Sequence, residues 1–232
     1  MIHLKKRTAF ITGSSRGIGQ QIAIGLAQHG CSVILHGRTI ANCNATEKKL
    51  AKYDVTVHKV AGELDSAENL TAIINEISDK KLVVDILYNN AAIMTPWTPI
   101  TETPMGDWTK SLQVNLFAVI MFCNAFVPAM KENKWGRIIN LTSGIKETPH
   151  LAPYGVSKGA IDKYTQELAA DCREYNVLVN TLDPGWLRTD LGGPDAMFDV
   201  ETVLPGAVVP ALLEDNGPTG RMFSAQDFKY LE

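Results

Sequence analysis

The stretch Thr8-Ala9-Phe10-Ile11-Thr12-Gly13-Ser14-Ser15-Arg16-Gly17-Ile18-Gly19 decides the fold. Its first four residues form a short apolar run bounded by turn residues, the pattern of a buried strand. Three glycines then punctuate a polar turn, and from Gly17 to His29 apolar residues recur at helical spacing. A strand thus passes through a glycine-rich turn into the first turn of a helix. Glycine accepts positive φ and lets backbone come close to a bound group. A helix N-terminus offers free N–H groups and a partial positive charge, so such a junction can cradle a pyrophosphate. The spacing is Gly-x-x-x-Gly-x-Gly, not the Gly-x-Gly-x-x-Gly dinucleotide fingerprint. Any tight strand-to-helix turn uses glycine, but the strand-turn-helix context favours binding.

The same alternation continues outward from this stretch. Apolar runs that read as strands lie at Ser32–His36, Thr56–Ala61, Val83–Tyr88, Gly136–Leu141, Val177–Leu182 and, weakly, Arg221–Ser224. Helical patterns lie between them at Ala45–Tyr53, Ala67–Ser78, Asp107–Lys131, Tyr154–Glu174 and Thr202–Leu213. The order predicts an α/β fold of Rossmann type: a doubly wound parallel sheet of about seven strands with helices on both faces. Right-handed crossovers put the strand carboxyl ends on one edge, where such sheets bind ligands. Residues 1–232 read as a single domain. The loosest stretch, 187–200, contains Gly192-Gly193-Pro194 and follows a strand end, so it is expected to be a lid over a pocket rather than an ordinary surface loop.

Composition narrows the class. The 232 residues are 45% apolar and 20% charged, with net charge −3. That balance points to no nucleic-acid or anionic-membrane partner. No apolar leader with a small-residue cleavage site opens the chain, which implies a cytoplasmic protein. The run Leu116–Met130 is apolar but contains Asn124 and Pro128, and it is short for a bilayer span. It reads as a helix covered on several sides by core or by a partner subunit. Cys31, Cys43, Cys123 and Cys172 are scattered, without metal-ligand spacing, and read as reduced thiols; no metal is expected.

Cofactor preference is written at the end of the second strand, His36-Gly37-Arg38. An NAD site usually places a carboxylate there for the ribose 2′-hydroxyl, whereas an arginine accommodates a 2′-phosphate. Here the acid is missing, Arg38 is present, and Arg16 in the turn is a second guanidinium for the same phosphate. Both arginines can also be read as solvated surface charges. The missing acid favours NADP(H) over NAD(H).

Tyr154 and Lys158 are four apart on a helical pattern and so share a face. An ammonium beside a phenol lowers the phenol pKa and brings proton transfer toward neutral pH. Chance supplies roughly 0.4 such pairs in a chain of this composition. The neighbourhood gives the pair its value, and there the chain resembles the short-chain dehydrogenase/reductase family from Thr8 to about Phe223. Thr12 to Gly19 is similar to the family's cofactor turn. Asn89-Asn90-Ala91-Ala92 is similar to its Asn-Asn-Ala-Gly element, with Ala92 in place of glycine. Asn115, Ser143, Tyr154 and Lys158 match the catalytic tetrad in order, and Pro184-Gly185-Trp186-Leu187-Arg188-Thr189 matches the Pro-Gly segment. Two departures stand out. Ser143 precedes Tyr154 by a shorter separation than the family's usual one, and Glu63-Leu64 stands where Asp-Val is common.

The resemblance implies hydride transfer between nicotinamide and a carbonyl or alcohol, with Tyr154 as general acid/base. Lys158 would tune the tyrosine and hold the nicotinamide ribose. Ser143 would bind the substrate oxygen, and Asn115 would anchor a water near Lys158. The implied cofactor-binding set is Gly13, Ser15, Arg16, Gly17, Ile18, Gly19, Arg38, Glu63, Leu64, Asn90, Ala91, Tyr154, Lys158, Pro184, Gly185, Leu187 and Thr189. Met94, Trp97, Trp186, Met197 and Phe198 are candidates for an apolar substrate wall, and His150 could touch substrate. A homodimer or homotetramer is implied, built on the two long helices. The competing reading is a catalytically silent NADP(H)-binding sensor on the same fold, which would have no need of the complete tetrad.

Overall fold

The structure is a computed structural model describing residues 4–230. Seven strands form one sheet: β1 (Thr8–Ile11), β2 (Ser32–Gly37), β3 (Val57–Ala61), β4 (Ile86–Asn89), β5 (Gly136–Leu141), β6 (Val177–Asp183) and β7 (Met222–Ser224). Every pairing is parallel and the order is β3-β2-β1-β4-β5-β6-β7. Strand order therefore reverses between β1 and β4, which opens a crevice beyond their carboxyl ends. Helices α1 (Gly17–Gln28), α2 (Asn44–Leu50), α3 (Ala67–Asp79), α4 (Met105–Leu112), α5 (Ala118–Glu132) and α6 (Ala152–Cys172) cover the sheet.

Alternation along each strand builds two cores. Ala9 and Ile11 of β1 point to one face, where Ile22 and Leu26 of α1 pack with Val33, Leu35 and Tyr88. Phe10 points to the other, onto Phe122 of α5 at a ring separation of 5.3 Å. Burial on both faces is why β1 reads as an unbroken apolar run. Tyr88 is fully buried and donates its hydroxyl hydrogen to Ala207 O at 2.9 Å, which ties the C-terminal segment to the centre of the sheet.

Four expectations need correction. The segment Thr202–Leu213 is not an α-helix. It folds as two 3-10 turns, Val200–Val203 and Gly206–Ala211, because Pro205 and Pro210 cannot donate helical hydrogen bonds. The fourth strand starts at Ile86 rather than Val83, since Val83 is exposed and Asp85 spends its carboxylate on Thr8 N and Arg7. The helix expected at Asp107–Lys131 runs from Met105 to Glu132, with α4 and α5 joined by a π-helical turn at Gln113–Phe117. That continuous helix is long and apolar enough by composition to cross a membrane, and it lies on the sheet through Val119, Phe122, Cys123, Val127 and Met130. The stretch 187–200 is tied rather than loose. Arg188 N donates to Phe198 O, Phe198 N donates to Trp186 O, and Arg188 pairs with Asp199 at 2.6 Å.

Candidate active site

The glycine turn is held from three sides. Gly13 and Gly17 have φ of +64° and +60°, where a side chain would be strained. Gly19 has no room for one: an added Cβ would lie 2.5 Å from Gly13 O and 2.6 Å from Asn90 Nδ2. From β4, Asn90 Nδ2 donates to Thr12 O and Gly13 O, and the backbone N–H groups of Asn90 and Ala91 donate to Thr12 Oγ1. Asn90 thus holds the turn itself, and Ala91 packs over Gly13. Ile18 leans on the core beneath α1. No carboxylate lies in the first turn of α1, so its partial positive charge is left for an anion.

Two supports of the turn were missed in the sequence. His36 Nδ1 accepts from Gly13 N at 3.1 Å, so the ring proton sits on Nε2, which donates to Gly62 O at 3.1 Å. Burial lowers its pKa to about 4 and keeps it neutral. Thr46 of α2 donates to Ser14 O and Ser15 O and accepts from Gln20. A polar residue closing an apolar strand was the one available signal for His36; Thr46 gives none.

The expected phosphate ligands differ in situation. Arg38 is exposed at the end of β2. Arg16 is also exposed but pairs through Nε with Asp190 at 2.7 Å, and the neighbouring Thr189 lies against Gly17. Glu63 is exposed, whereas Leu64 is buried in the core beneath α3. Gly185 takes φ +82°, Pro184 O accepts from Gln226, and Leu187 is buried.

The other expected residues gather beyond β5 and β6. Tyr154 and Lys158 lie one turn apart in α6, with Nζ 5.6 Å from the phenol ring centre. Ser143, just past β5, accepts from Ile145 N and is close enough to Tyr154 to lower its pKa, so the short Ser143–Tyr154 connection still brings the two near each other. Lys158 Nζ donates to Leu141 O at 2.7 Å. Asn115 sits in the π turn; its amide accepts from Ile93 N and donates to Ile93 O and Ser157 Oγ, so it splints the strand extension after β4 to α6.

Electrostatics overturn one expectation. The Tyr154 pKa is raised, not lowered: burial pushes it up, Ser143 opposes, and the Asp183 carboxylate adds to the rise. Lys158 is itself buried, and burial draws it down to about 8 against the charge of Asp162. Burial is the largest cause at both groups, because enclosure disfavours the charged form of each.

A cavity of about 300 Å³ lies beside this group, lined by residues 145–149 with Ala152, Gly155 and Val156. Ser143, Tyr154 and Lys158 are not among its lining residues, nor are the aromatic and methionine side chains expected near a substrate. Trp97 and Trp186 are exposed, Met197 is exposed, and Phe198 packs on the core. Trp97 instead stacks on His150 at 6.3 Å, while His150 O accepts from Thr98 N.

Known proteins resemble this chain in sequence and in fold. A family model described as short chain dehydrogenase matches residues 7–196. The chain is 34% identical over 193 residues to the 3-oxoacyl-[acyl-carrier-protein] reductase of Aquifex aeolicus (strain VF5), covering 82% of this chain and 77% of that protein. It superposes on a 3-oxoacyl-(acyl-carrier-protein) reductase from Agrobacterium tumefaciens C58 with NADP bound, at TM-score 0.84 and 28% identity over 95% and 93% of the two chains. A gluconate 5-dehydrogenase from Burkholderia cenocepacia J2315, in complex with NADP and tartrate, matches at TM-score 0.83 and 26% identity over 96% and 94%. The chain belongs to the short-chain dehydrogenase family and is an oxidoreductase acting on a CH–OH or C=O group.

Proposed function

We propose that the protein is an NADP(H)-dependent reductase of a small carbonyl compound, working reversibly on the corresponding alcohol, with Tyr154 as general acid/base. One observation carries the reading: Lys158 Nζ lies 5.6 Å from the Tyr154 ring and donates to Leu141 O, two residues before Ser143, at the end of β5. The residues present fit the dinucleotide. The cradle at Gly13 and Gly19 is filled by any Cβ, and α1 offers an uncompensated N-terminus. Gly13, Ser15, Gly17, Ile18 and Gly19 would hold the pyrophosphate, Arg38 and Arg16 the 2′-phosphate, and Glu63 the adenine end. Lys158, Ala91, Pro184, Gly185, Leu187 and Thr189 would hold the nicotinamide half. Arg16 must leave Asp190 to do so; both groups are exposed, so the pair costs at most about 1 kcal/mol to open.

When bound, the nicotinamide supplies or accepts a hydride. The chain's own residues handle the proton and the charge. Tyr154, whose raised pKa keeps it a phenol at neutral pH, donates its proton to the substrate oxygen. Ser143 donates a hydrogen bond to the same oxygen as charge develops there. Below about pH 8 Lys158 is an ammonium and can return a proton to Tyr154. Asn115 fixes Ile93 and Ser157 and so the approach of β4 to α6. The phenol form suits reduction at neutral pH; oxidation requires the phenolate and gains as pH rises.

Relatives named for a 3-oxoacyl thioester and for gluconate act on a ketone or secondary alcohol, and we extend that substrate class to this chain. The stretch 187–200 is assigned as the lid, the four free buried thiols suit a cytoplasmic setting, and two copies are expected to pair through α4–α5 and α6. The experiment is NADPH and NADH oxidation with a carbonyl panel that includes 3-oxoacyl thioesters and ketogluconates. Tyr154→Phe should lose about a thousandfold in kcat and keep its NADPH affinity. Arg38→Asp should weaken NADPH about tenfold more than NADH. NADPH binding without turnover of any panel member would favour the sensor reading instead, and equal loss for both cofactors would undo the 2′-phosphate assignment.

A further inference from the structure

One turn beyond Lys158 on the same face of α6 stands Asp162. Lys158 reaches β5 at Leu141 O, and Asp162 faces the next residue, Thr142. Asp162 Oδ1 is shielded from solvent and has no hydrogen-bond partner among the described residues, and the same holds for Thr142 Oγ1. Behind them lies a second cavity, of about 220 Å³, whose polar walls include Asp162, Thr165, Gln166, Thr181 and Arg221. A carboxylate oxygen kept out of solvent without a partner is costly unless a charge repays it.

We propose that Asp162 is a positioning residue for the Lys158 ammonium, acting on it from the turn opposite to that of Tyr154 and facing a polar chamber walled on its far side by Thr181 of β6 and Arg221. The proposal rests on the reading of Tyr154 and Lys158 as the proton-handling pair. The charged and titratable groups around the pair are few. Tyr154 lies one turn before Lys158 in α6, Asp183 stands at the end of β6, and Arg221 lines the chamber from the segment before β7. Burial raises the Asp162 pKa most, Thr142 and then Lys158 oppose the rise, and Asp183 adds to it. The Asp162 charge in turn holds the Lys158 pKa up against burial. Removing that charge lowers the Lys158 pKa, so the ammonium is lost at a lower pH and reduction fails earlier on the alkaline side.

The test is a titration of Lys158 in the whole protein labelled with ¹³C at lysine Cε, its signal being the one that Lys158→Arg removes. Asp162→Asn should lower the midpoint by about one unit, and Asp162→Glu, which keeps the charge, should hold it near wild type. With NADPH and a carbonyl that wild type reduces, the kcat loss in Asp162→Asn should deepen from about twofold at pH 6 to about tenfold at pH 8.5. Asp162→Ser gives the same reading where the asparagine variant does not fold. An unmoved midpoint in the neutral variants, or a kcat loss equal at every pH, overturns the assignment. A wild type that reduces no carbonyl sinks the Tyr154 reading alone, because the titration still decides whether Asp162 governs Lys158.

Discussion

Lys158 is a charge held where the fold disfavours it. The side chain is 4% exposed, and burial brings its pKa from 10.5 to about 8. Between those two values the unfolded chain keeps a proton that the folded chain has released, so stability rises with pH across that window. Below about pH 8 the folded state carries the full penalty, of order 3 kcal/mol. Lys158→Met should therefore be the more stable protein at pH 7, despite losing all activity. Its advantage over wild type should shrink by about 2 to 3 kcal/mol between pH 8 and pH 10.5. Urea unfolding of the pair at both ends of the window measures this, and an advantage that does not change with pH would show that the buried charge is otherwise compensated. Residue identity was legible in the sequence here, but the sign of the tyrosine shift was not. Spacing places Lys158 beside Tyr154; it does not say that both are enclosed, and enclosure decides which effect wins.

Among the elements, the strand-turn-helix at the chain start was readable almost residue for residue, because glycine positions and a change of hydrophobic period are local signals. Its supports were not readable. His36 and Thr46 reach the turn from 23 and 31–32 residues away through hydrogen bonds that leave no period in the sequence. The His36 clip carries a consequence for acid stability. The folded ring titrates at about 4 and the unfolded one at 6.5, so the unfolded chain binds the extra proton between those values. Stability is intact above 6.5 and is lost as pH falls toward 4, by about 3 kcal/mol. Protonation at Nδ1 also ejects Gly13 N from its acceptor, so NADPH binding should weaken over the same window. His36→Gln should flatten both slopes, read by unfolding and by NADPH fluorescence titration from pH 7 to 4.5. Equal slopes in variant and wild type would clear His36 of the role. At 202–213 the apolar residues keep helical spacing, but Pro205 and Pro210 break the segment into 3-10 turns.

At the scale of the whole molecule, the parallel sheet with helices on both faces was legible from alternation and handedness, whereas the strand order, which reverses between β1 and β4, was not. What alternation does not report is which helix faces remain uncovered. The helix from Met105 to Glu132 has mean hydropathy 1.7 over its most apolar window, yet only 39% of that window is buried. Met105 is 75% exposed, Phe117 46% and, on α6, Val156 51%. Side chains of this size left in water on adjoining helices would each contribute about 1.5–3 kcal/mol if covered. A membrane is a poor candidate for the cover, since the opposite stripe of the same helix, Phe122, Cys123 and Val127, is already committed to the sheet. A second copy presenting the same apolar stripe covers both at once, as a two-fold axis requires. The expected result of sedimentation velocity at micromolar concentration is a dimer or tetramer. Phe117→Asp combined with Val156→Asp should reduce it to the next smaller species with little change in unfolding midpoint at low protein concentration. A wild-type monomer under those conditions would leave the stripe without its partner and send the search to a different occupant.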